Sequence, residues 1–230
     1  MKRFTAFVTG TDTEIGKTLV TSALLKAFEK EGYSTLGLKP VSAGCEMTDD
    51  GLRNEDALCL QEASSIKVAY ETVNPVAYEP AIAPHIAAME KGKLLSASGL
   101  EGFVRGAMLK PAQVKLIEGA GGWFTPLSYR ETLADLTKRL NVPVVLVVGI
   151  RLGCINHALL TATAIESVGL KLAGWVANKV DPEMSRYDEN VETLKQMINA
   201  PCLGEIPFLS TDQLDTACDF LDISPLISGH

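Results

Sequence analysis

A glycine-rich stretch near the amino terminus constrains this chain more than any other feature. Residues 10–18 read GTDTEIGKT and directly follow the apolar run at residues 4–9. A strand that leads through such a loop into a helix lets backbone N–H groups surround a phosphate, with a lysine at its outer oxygens and a hydroxyl on Mg2+. Gly16, Lys17 and Thr18 supply these groups. The pattern therefore predicts a phosphate loop that binds ATP.

The loop departs from the usual spacing, because five residues rather than four separate Gly10 from Gly16. The segment that follows, residues 17–31, carries apolar side chains at helical spacing. They are Leu19, Ala23, Leu24, Ala27 and Phe28. A helix that begins here directs the positive end of its dipole at the phosphates. This context favours a stretched phosphate loop over a glycine turn that merely caps a helix.

Composition agrees with one α/β domain and argues against some partners. The 230 residues are 47% hydrophobic, which suffices for the core of a single ligand-binding domain over residues 1–230. There are 21 basic and 28 acidic residues, for a net charge of −7, and the basic ones are scattered. We therefore expect neither nucleic acid nor a membrane as a partner. The 5 cysteines form no C-x-x-C pair, which argues against a disulfide framework and a zinc site.

The apolar runs of the chain argue against a membrane or secreted location. The longest strongly apolar run, residues 142–150, is too short to span a bilayer and contains Pro143. Residues 1–7 read MKRFTAF and lead into the first predicted strand rather than into a secretion signal. We therefore expect a cytoplasmic protein.

Strand-like runs alternate with helical stretches along most of the chain. This alternation predicts an α/β fold of the phosphate-loop NTPase type, with a mostly parallel sheet and helices on both faces. Residues 144–148 are all valine or leucine, as expected for a central strand buried on both faces. The predicted strands cover residues 4–9, 35–39, 114–118, 144–148, 173–178 and 203–206.

Polar or glycine-rich residues follow these strands, at the sheet edge where parallel sheets bind ligands. Lys39 ends the second predicted strand and would face the same crevice as Lys17. Glu118 ends the third strand beside a run of glycines, and its carboxylate suits a metal that bridges ATP phosphates. Asp56 precedes an apolar segment, and the residues alone leave open whether it serves a helix N-terminus or a metal.

Nine segments between residues 4 and 209 carry a family resemblance. They read GTDTEIGKT, LKPVSAG, GLRNEDALCL, TVNP, Ala-Pro-His at residues 83–85, EGAGGWFTPL, RLGCINHALLTA, AGWVAN and LGEIPFL. Together they resemble the dethiobiotin synthetase family of ATP-dependent carboxylases. EGAGGWFTPL and LGCINH are typical of this family among phosphate-loop amide-forming ligases. The resemblance implies that CO2 joins the adjacent amines of 7,8-diaminononanoate, while ATP is hydrolysed to ADP and phosphate, to give the cyclic urea dethiobiotin.

The resemblance also implies catalytic and metal-binding roles. Lys39 matches the catalytic lysine, which would stabilise a carbamate and the phosphoryl group in transfer, and Lys17 would bind the phosphates. Thr18, Asp56 and Glu118 match positions that hold Mg2+. For Asp56 this match favours the metal over the helix N-terminus.

Further positions match the nucleotide site. Asn178 matches the residue that recognises adenine, and residues 207–209 would close over the base. The full predicted set for ATP and its metal is Thr13, Glu14, Ile15, Gly16, Lys17, Thr18, Leu19, Asp56, Glu118, Gly119, Ala120, Gly121, Asn178, Pro207, Phe208 and Leu209.

The substrate contacts implied by the resemblance are Ser42, Cys154 and Asn156. The family usually has Ser or Thr at the position that Ala43 occupies here, so in Ser42 the hydroxyl is moved by one residue. Cys154 and Asn156 match a region that binds the substrate carboxylate across a dimer interface. The resemblance therefore predicts a homodimer with shared sites.

Two other functions stay open. A nucleotide-dependent switch ATPase would share the sheet and a stretched loop, but such proteins usually carry another lysine where this chain has Thr11, Asp12 and Thr13. A related phosphate-loop ligase acting on another small acid is the closer alternative. The EGAGGWFTPL and LGCINH segments argue against it.

Overall fold

The computed structural model describes residues 3–228, and its centre is a parallel sheet. In chain order, the strands of this part are β1 (Phe4–Gly10), β2 (Thr35–Leu38), β3 (Val41–Ser42), β4 (Glu46–Thr48), β5 (Gly51–Arg53), β6 (Val76–Ala77), β7 (Val114–Glu118), β8 (Val144–Ile150), β9 (Leu172–Lys179) and β10 (Cys202–Ile206). The central sheet has 6 strands in the order β10-β9-β8-β1-β7-β2, and all its pairs are parallel. The short strands form two separate pairs, β3 with β6 and β4 with β5.

Helices cover both faces of this sheet. They are α1 (Lys17–Lys30), α2 (Glu55–Ala63), α3 (Tyr70–Val73), α4 (Pro84–Glu90), α5 (Ala97–Met108), α6 (Leu133–Leu140), α7 (Cys154–Ser167), α8 (Tyr187–Met197) and α9 (Ser224–Ser228), with a 3-10 helix at Thr211–Phe220. Successive strand residues point to opposite faces. Phe7 of β1 therefore packs in the cluster of α5, α6 and α7, whereas Val8 packs in the cluster of α1 and α2.

The predicted α/β fold is confirmed, with small shifts at the strand ends. β2 ends at Leu38, so Lys39 lies just beyond the strand rather than inside it. β8 and β9 run further than predicted because their pairing continues to Ile150 opposite Lys179. The pairs β3–β6 and β4–β5 were not predicted, since strands of two or three residues show no periodicity.

Among residues 3–228, no helix combines the length and the apolar character that a membrane crossing requires.

The segment after β10 packs back on the body of the protein. Its 3-10 helix contacts α1 through two ion pairs, Lys26 with Asp215 and Lys30 with Asp219. Gly204 of β10 forms an isolated bridge with Leu221. The Gly204 backbone has φ 153°, and a Cβ added there would lie 2.0 Å from the carbonyl oxygen of Phe220. The close approach of this segment to β10 therefore requires glycine.

We expect Gly204→Ala to lower the free energy of unfolding by about 3 kcal/mol, because backbone strain and steric overlap both oppose the methyl group. Urea denaturation followed by circular dichroism measures the change. Gly102→Ala is the matched control, since Gly102 lies exposed in α5 and a Cβ there meets nothing within 4 Å. The control should gain about 0.5–1 kcal/mol from helix propensity. Equal stability of the two variants would contradict the packing described here.

Candidate active site

The loop between β1 and α1 has a backbone that requires glycine at its end. Gly16 precedes α1 with φ 80°, and a Cβ added there would lie 2.2 Å from Nδ2 of Asn178. The same Nδ2 donates a hydrogen bond of 2.8 Å to the carbonyl oxygen of Ile15. Asn178 lies near the end of β9 and is 4% exposed. Its side chain thus holds the end of the predicted phosphate loop in place.

Lys17 begins α1 and is almost completely buried. Its Nζ donates to the carbonyl oxygen of Asp12 at 2.6 Å, and the carboxylate of Asp12 pairs with Arg151 at 2.5 Å. Burial, followed by repulsion from Lys39, lowers the pKa of Lys17 to about 8. The ammonium therefore lacks full charge compensation, which suits it to bind an anionic phosphate.

Three elements bring Lys39 together with two carboxylates next to this loop. Lys39 follows β2, Glu118 ends β7 and Asp56 lies in the first turn of α2. Nζ of Lys39 lies 2.8 Å from Oδ2 of Asp56 and 2.6 Å from Oε1 of Glu118. Thr18 Oγ1 donates to the same Oε1 at 2.9 Å. Because β2 and β7 are adjacent and parallel, their carboxyl ends place Lys39 and Glu118 at one point of the sheet edge.

Charge compensation sets the protonation of this cluster. Burial by itself would lower the pKa of Lys39, but Glu118 and then Asp56 outweigh burial, so the pKa lies above its ordinary value. Burial would raise the pKa of Asp56, but Lys39 outweighs it and holds that pKa below its ordinary range. At neutral pH the cluster therefore contains an ammonium and an ionised Asp56.

A buried carboxylate oxygen of this cluster has no hydrogen-bond partner among residues 3–228. Oε2 of Glu118 is buried and accepts no hydrogen bond from any described residue. Together with the Thr18 hydroxyl and the Asp56 carboxylate, it supplies the hard oxygen ligands that Mg2+ prefers. Nowhere in residues 3–228 do three or more His, Cys, Asp or Glu side chains form a metal cage. The three residues therefore fit a Mg2+ ion that takes its remaining ligands from phosphates and water.

Asn74 holds the segment after β2 in place, a role that the sequence did not reveal. Its Nδ2 donates to the carbonyl oxygen of Lys39 at 2.6 Å. Its Oδ1 accepts from the Ser42 hydroxyl at 2.8 Å and from the Tyr70 hydroxyl at 3.0 Å. The signal in the sequence was the Asn-Pro dipeptide of TVNP, which indicates a turn but not its hydrogen-bond partners.

A cavity of about 790 Å³ adjoins the loop and the cluster. Of the predicted residues, those that line it are Thr13, Glu14, Gly16, Lys17, Thr18, Lys39, Ser42, Asp56, Ala120 and Gly121. Lining residues that were not predicted are Ala43, Asn54, Ala81, Ile82, Ala83, Pro84, Thr125 and Pro126. The cavity thus combines charged groups on one side with a small apolar wall, residues 81–84, on the other. The hydroxyl of Ser42 is engaged by Asn74, so its contact with a substrate stays a prediction.

Other predicted nucleotide residues lie outside this lining. The carbonyl oxygen of Gly119 accepts a hydrogen bond of 3.3 Å from Nζ of Lys39. Leu19 is partly buried against the apolar cluster that includes the buried residues of α1. Asn178 pairs in register with Ile206, and residues 207–209 therefore leave the sheet beside Asn178. The contact of residues 207–209 with the base stays a prediction, and it would take place at this part of the sheet edge, beside Asn178.

Cys154 and Asn156 begin α7 and do not line the cavity of their own chain. Cys154 is buried with Sγ 3.8 Å from Oδ1 of Asn190, and burial raises the pKa of its thiol, which argues against a nucleophile. Asn156 is exposed. The contact of Asn156 with a substrate stays a prediction.

Comparison with known proteins extends the similarity along the whole chain. A family model described as an AAA domain matches residues 5–213. The ATP-dependent dethiobiotin synthetase BioD of Cellvibrio japonicus is 56% identical over 229 residues, with 100% of each chain covered. The same enzyme of Pseudomonas paraeruginosa is 56% identical over 97% of this chain and 98% of its own. That of Marinobacter nauticus is 49% identical with 100% of each chain covered.

Solved structures agree in fold at low identity. The septum site-determining protein MinD of Pyrococcus horikoshii, complexed with Mg-ADP, superposes with a TM-score of 0.59 at 16% identity, over 94% of this chain and 86% of its own. The signal recognition particle receptor FtsY of Elizabethkingia anophelis, in complex with GDP, gives 0.54 at 16% identity, over 95% of this chain. The chain spans only 64% of that receptor.

The fold similarity to solved structures and the sequence similarity to curated relatives support different conclusions. An identity of 16% to MinD and FtsY shows a shared sheet and loop and nothing finer. The relatives at 49–56% identity match this chain from end to end and therefore show its family. The chain belongs to the ATP-dependent dethiobiotin synthetase family.

Proposed function

We propose that this chain, acting as one ligase domain, carboxylates 7,8-diaminononanoate with CO2 and closes the cyclic urea of dethiobiotin, with ATP converted to ADP and phosphate, in biotin biosynthesis. The observation that carries the proposal is the cluster of Lys39, Asp56 and Glu118 beside the phosphate loop. Lys39 and Asp56 line the cavity, and Glu118 is buried next to Lys39. The family of the relatives disfavours the switch ATPase and the ligase for another acid.

The reaction consists of three steps that need no protein nucleophile. An amine adds to CO2 and loses a proton, which gives a carbamate. A carbamate oxygen attacks the γ-phosphorus of ATP and expels ADP, which leaves a mixed carbamic–phosphoric anhydride. The neighbouring amine attacks the carbonyl carbon and expels phosphate. Each step concentrates negative charge, so the protein must hold the reactants in line and stabilise that charge.

Lys39 and Lys17, the two buried lysines next to the phosphate loop, would stabilise different parts of this negative charge. Lys39 is an ammonium at neutral pH and lines the cavity, so it would stabilise the carbamate and the phosphoryl group in transfer. Lys17 lies at the start of α1 inside the loop and would contact the phosphates of ATP. The dipole of α1 adds to the attraction.

Thr18, Asp56 and Glu118 would hold Mg2+, and the unpartnered Oε2 of Glu118 supports this assignment. When bound, the ion neutralises phosphate oxygens and orients the γ-phosphate. The aliphatic chain of the substrate would lie against the apolar wall at residues 81–84. Asn178 and residues 207–209 would contact the adenine.

We also propose a cytoplasmic homodimer whose sites are shared between subunits. Leu152 is 94% exposed and Leu160 is 63% exposed, on either side of Asn156. Large exposed apolar side chains around a predicted substrate residue support a subunit contact at this surface. Asn156 of one subunit would then complete the cavity of the other.

We expect Lys39→Ala to bind MgATP within a few-fold of the unmodified protein but to lose about 100- to 1,000-fold in turnover, because a main stabiliser of the developing charge is removed. Incorporation of labelled bicarbonate into an acid-stable cyclic urea, together with ADP release, measures turnover. The unmodified protein should form this product only when ATP, bicarbonate and 7,8-diaminononanoate are all present.

Lys115→Ala is the matched control, since Lys115 is also buried, on β7, but bonds to the Ala112 carbonyl and does not line the cavity. Its turnover should stay near normal. Thermal melting checks that Lys39→Ala, which leaves Glu118 uncompensated, remains folded at the assay temperature. Full turnover of folded Lys39→Ala would refute the role of Lys39, and ATP hydrolysis without product would refute the proposed substrate.

The affinity for MgATP should fall as the pH rises above about 8, by up to about tenfold per pH unit. The pKa of Lys17 in the free protein is lowered to about 8, so above that pH Lys17 is neutral. Bound phosphate favours the ammonium, and binding therefore takes up a proton. Below this pH Lys17 is already charged and the affinity levels off. Titration calorimetry in buffers of different ionisation enthalpy measures the proton uptake.

Lys17→Met is the control for this pH dependence, because it removes the titrating group. It should bind ATP weakly and without proton uptake above about pH 8. An affinity of the unmodified protein that is constant from about pH 7 to about pH 9.5 would contradict the assignment.

Shared sites predict that two inactive variants restore activity when mixed. A heterodimer of Lys39→Ala with Asn156→Ala would contain one site with both residues intact. Random exchange should then give roughly a quarter of the unmodified activity. Sedimentation verifies that dimers have formed. A fully active monomer, or no recovery in verified heterodimers, would refute the shared site.

A further inference from the structure

Tyr70 connects two segments that each deliver a charge to the active site. It begins α3, and its hydroxyl accepts a hydrogen bond of 2.8 Å from the Asn54 N–H. The same hydroxyl donates to Oδ1 of Asn74 at 3.0 Å. Asn54 is the N-cap of α2, whose first turn contains Asp56. Asn74 in turn donates to the Lys39 carbonyl. One phenol hydroxyl therefore ties the helix of Asp56 to the segment of Lys39.

The backbone of Lys39 depends on α3, because β2 ends one residue before Lys39. The Lys39 N–H donates to the Val73 carbonyl at 2.8 Å, and the Lys39 carbonyl accepts from Nδ2 of Asn74 at 2.6 Å. Val73 and Asn74 are both buried, so these bonds are shielded from water. The position of the Lys39 backbone is therefore set by the segment that Tyr70 begins.

Asp56 and Glu118 differ in how firmly the fold holds them against Lys39. The Glu118 side chain ends a central strand and is 0% exposed. The Asp56 side chain is 44% exposed and lies on a helix that starts only one residue earlier. Water competes with Lys39 for such an exposed carboxylate. The 2.8 Å contact between Nζ of Lys39 and Oδ2 of Asp56 therefore requires that the start of α2 stays fixed relative to Lys39.

The surroundings of Tyr70 suit a rigid connector. The guanidinium of Arg53 lies over its ring, 4.2 Å from the ring centre. Burial raises the pKa of Tyr70, so the hydroxyl keeps its proton at neutral pH and can donate to Asn74. Oδ1 of Asn74 also accepts from the Ser42 hydroxyl at 2.8 Å. Tyr70 does not line the cavity, so any effect on the reaction must pass through the residues it holds.

We infer that Tyr70 is a positioning residue for the proposed reaction, because its hydroxyl fixes the start of α2 and thereby aligns Asp56 with Lys39. The inference rests on the proposed function, since Lys39 must be the residue that stabilises the carbamate and the phosphoryl group in transfer. A displacement of about 1 Å at a catalytic group can cost on the order of 100-fold in rate. A connector that acts on Lys39 through one of its two carboxylates should change turnover more than substrate binding.

The test is Tyr70→Phe, which removes the hydroxyl and keeps the ring beneath Arg53. It should lower kcat about tenfold and change the KM for 7,8-diaminononanoate less than about twofold, because the residues that line the cavity are all retained. Tyr78→Phe is the matched control, since Tyr78 is also buried but its hydroxyl takes no part in these hydrogen bonds. The control should keep a normal kcat. Thermal melting sets an assay temperature at which the variants are folded.

A double variant separates positioning from loss of structure. If Tyr70 acts through Lys39, Tyr70→Phe should lower the turnover of Lys39→Ala by less than about twofold. Loss of folded protein would instead lower it by the same factor as in the unmodified background. Asn74→Asp cuts the connection at its other end, because an ionised aspartate accepts from Tyr70 but has no donor for the Lys39 carbonyl. It should lower kcat by a factor similar to that of Tyr70→Phe.

A normal kcat in folded Tyr70→Phe or folded Asn74→Asp overturns the inference and leaves the proposed function standing. An equal loss when Tyr70→Phe is added to Lys39→Ala, or an equal loss in Tyr78→Phe, shows a structural role and overturns the inference as well. If the unmodified protein forms no cyclic urea from ATP, bicarbonate and the diamine, the proposed function fails, and the inference fails with it.

Discussion

Lys39 and Glu118 are opposite charges that the fold removes almost completely from water at the ends of two neighbouring strands. Their side chains are 5% and 0% exposed, and 2.6 Å separates Nζ from Oε1. Removing one partner of such a buried pair typically costs about 3–5 kcal/mol, because the other charge is left uncompensated. The pair forms only if β2 lies directly beside β7. The order of the sheet therefore determines where this pair of charges lies.

Charge compensation explains why the pKa of buried Lys39 is raised while that of buried Lys17 is lowered. Lys39 contacts two carboxylates, and its pKa is raised despite burial. Nζ of Lys17 hydrogen-bonds only to the carbonyl of Asp12 among the described residues, and burial lowers its pKa to about 8. The charges of Glu118, Asp56 and Asp12 oppose this shift without cancelling it, and Asp12 is itself paired with Arg151. The loop thus holds an ammonium that a bound anion would stabilise, whereas the carboxylates of Glu118 and Asp56 already raise the pKa of Lys39.

The sequence predicts the parts of this site that depend on local patterns. Apolar runs give the strands, and the rule that parallel strands end at one edge brings Lys39, Glu118 and the phosphate loop together. It does not predict contacts that only the packed chain creates. Asn178 reaches Ile15 across 163 positions, and Asn74 reaches Lys39 across 35. Ser42 illustrates the limit, because its place on the cavity wall follows from the sequence, whereas the bond of its hydroxyl to Asn74 depends on tertiary packing.

MinD and FtsY share the fold of this chain at 16% identity, so properties of the fold can be distinguished from those of individual side chains. The dipole and the free N–H groups at a helix N-terminus favour phosphate binding, whereas a shared fold does not by itself determine a reaction. Chemistry on a second substrate needs further groups at the same edge, and in the proposed function the loop after β2 and the apolar wall at residues 81–84, which line the cavity, would supply them. Asn74 joins these two regions, since it bonds Lys39 and Ser42 from the segment that leads to the wall. If Lys39 acts as proposed, the groups that add ligation to nucleotide binding lie in the chain between β2 and α4, and Asn74 holds the backbone of Lys39 there.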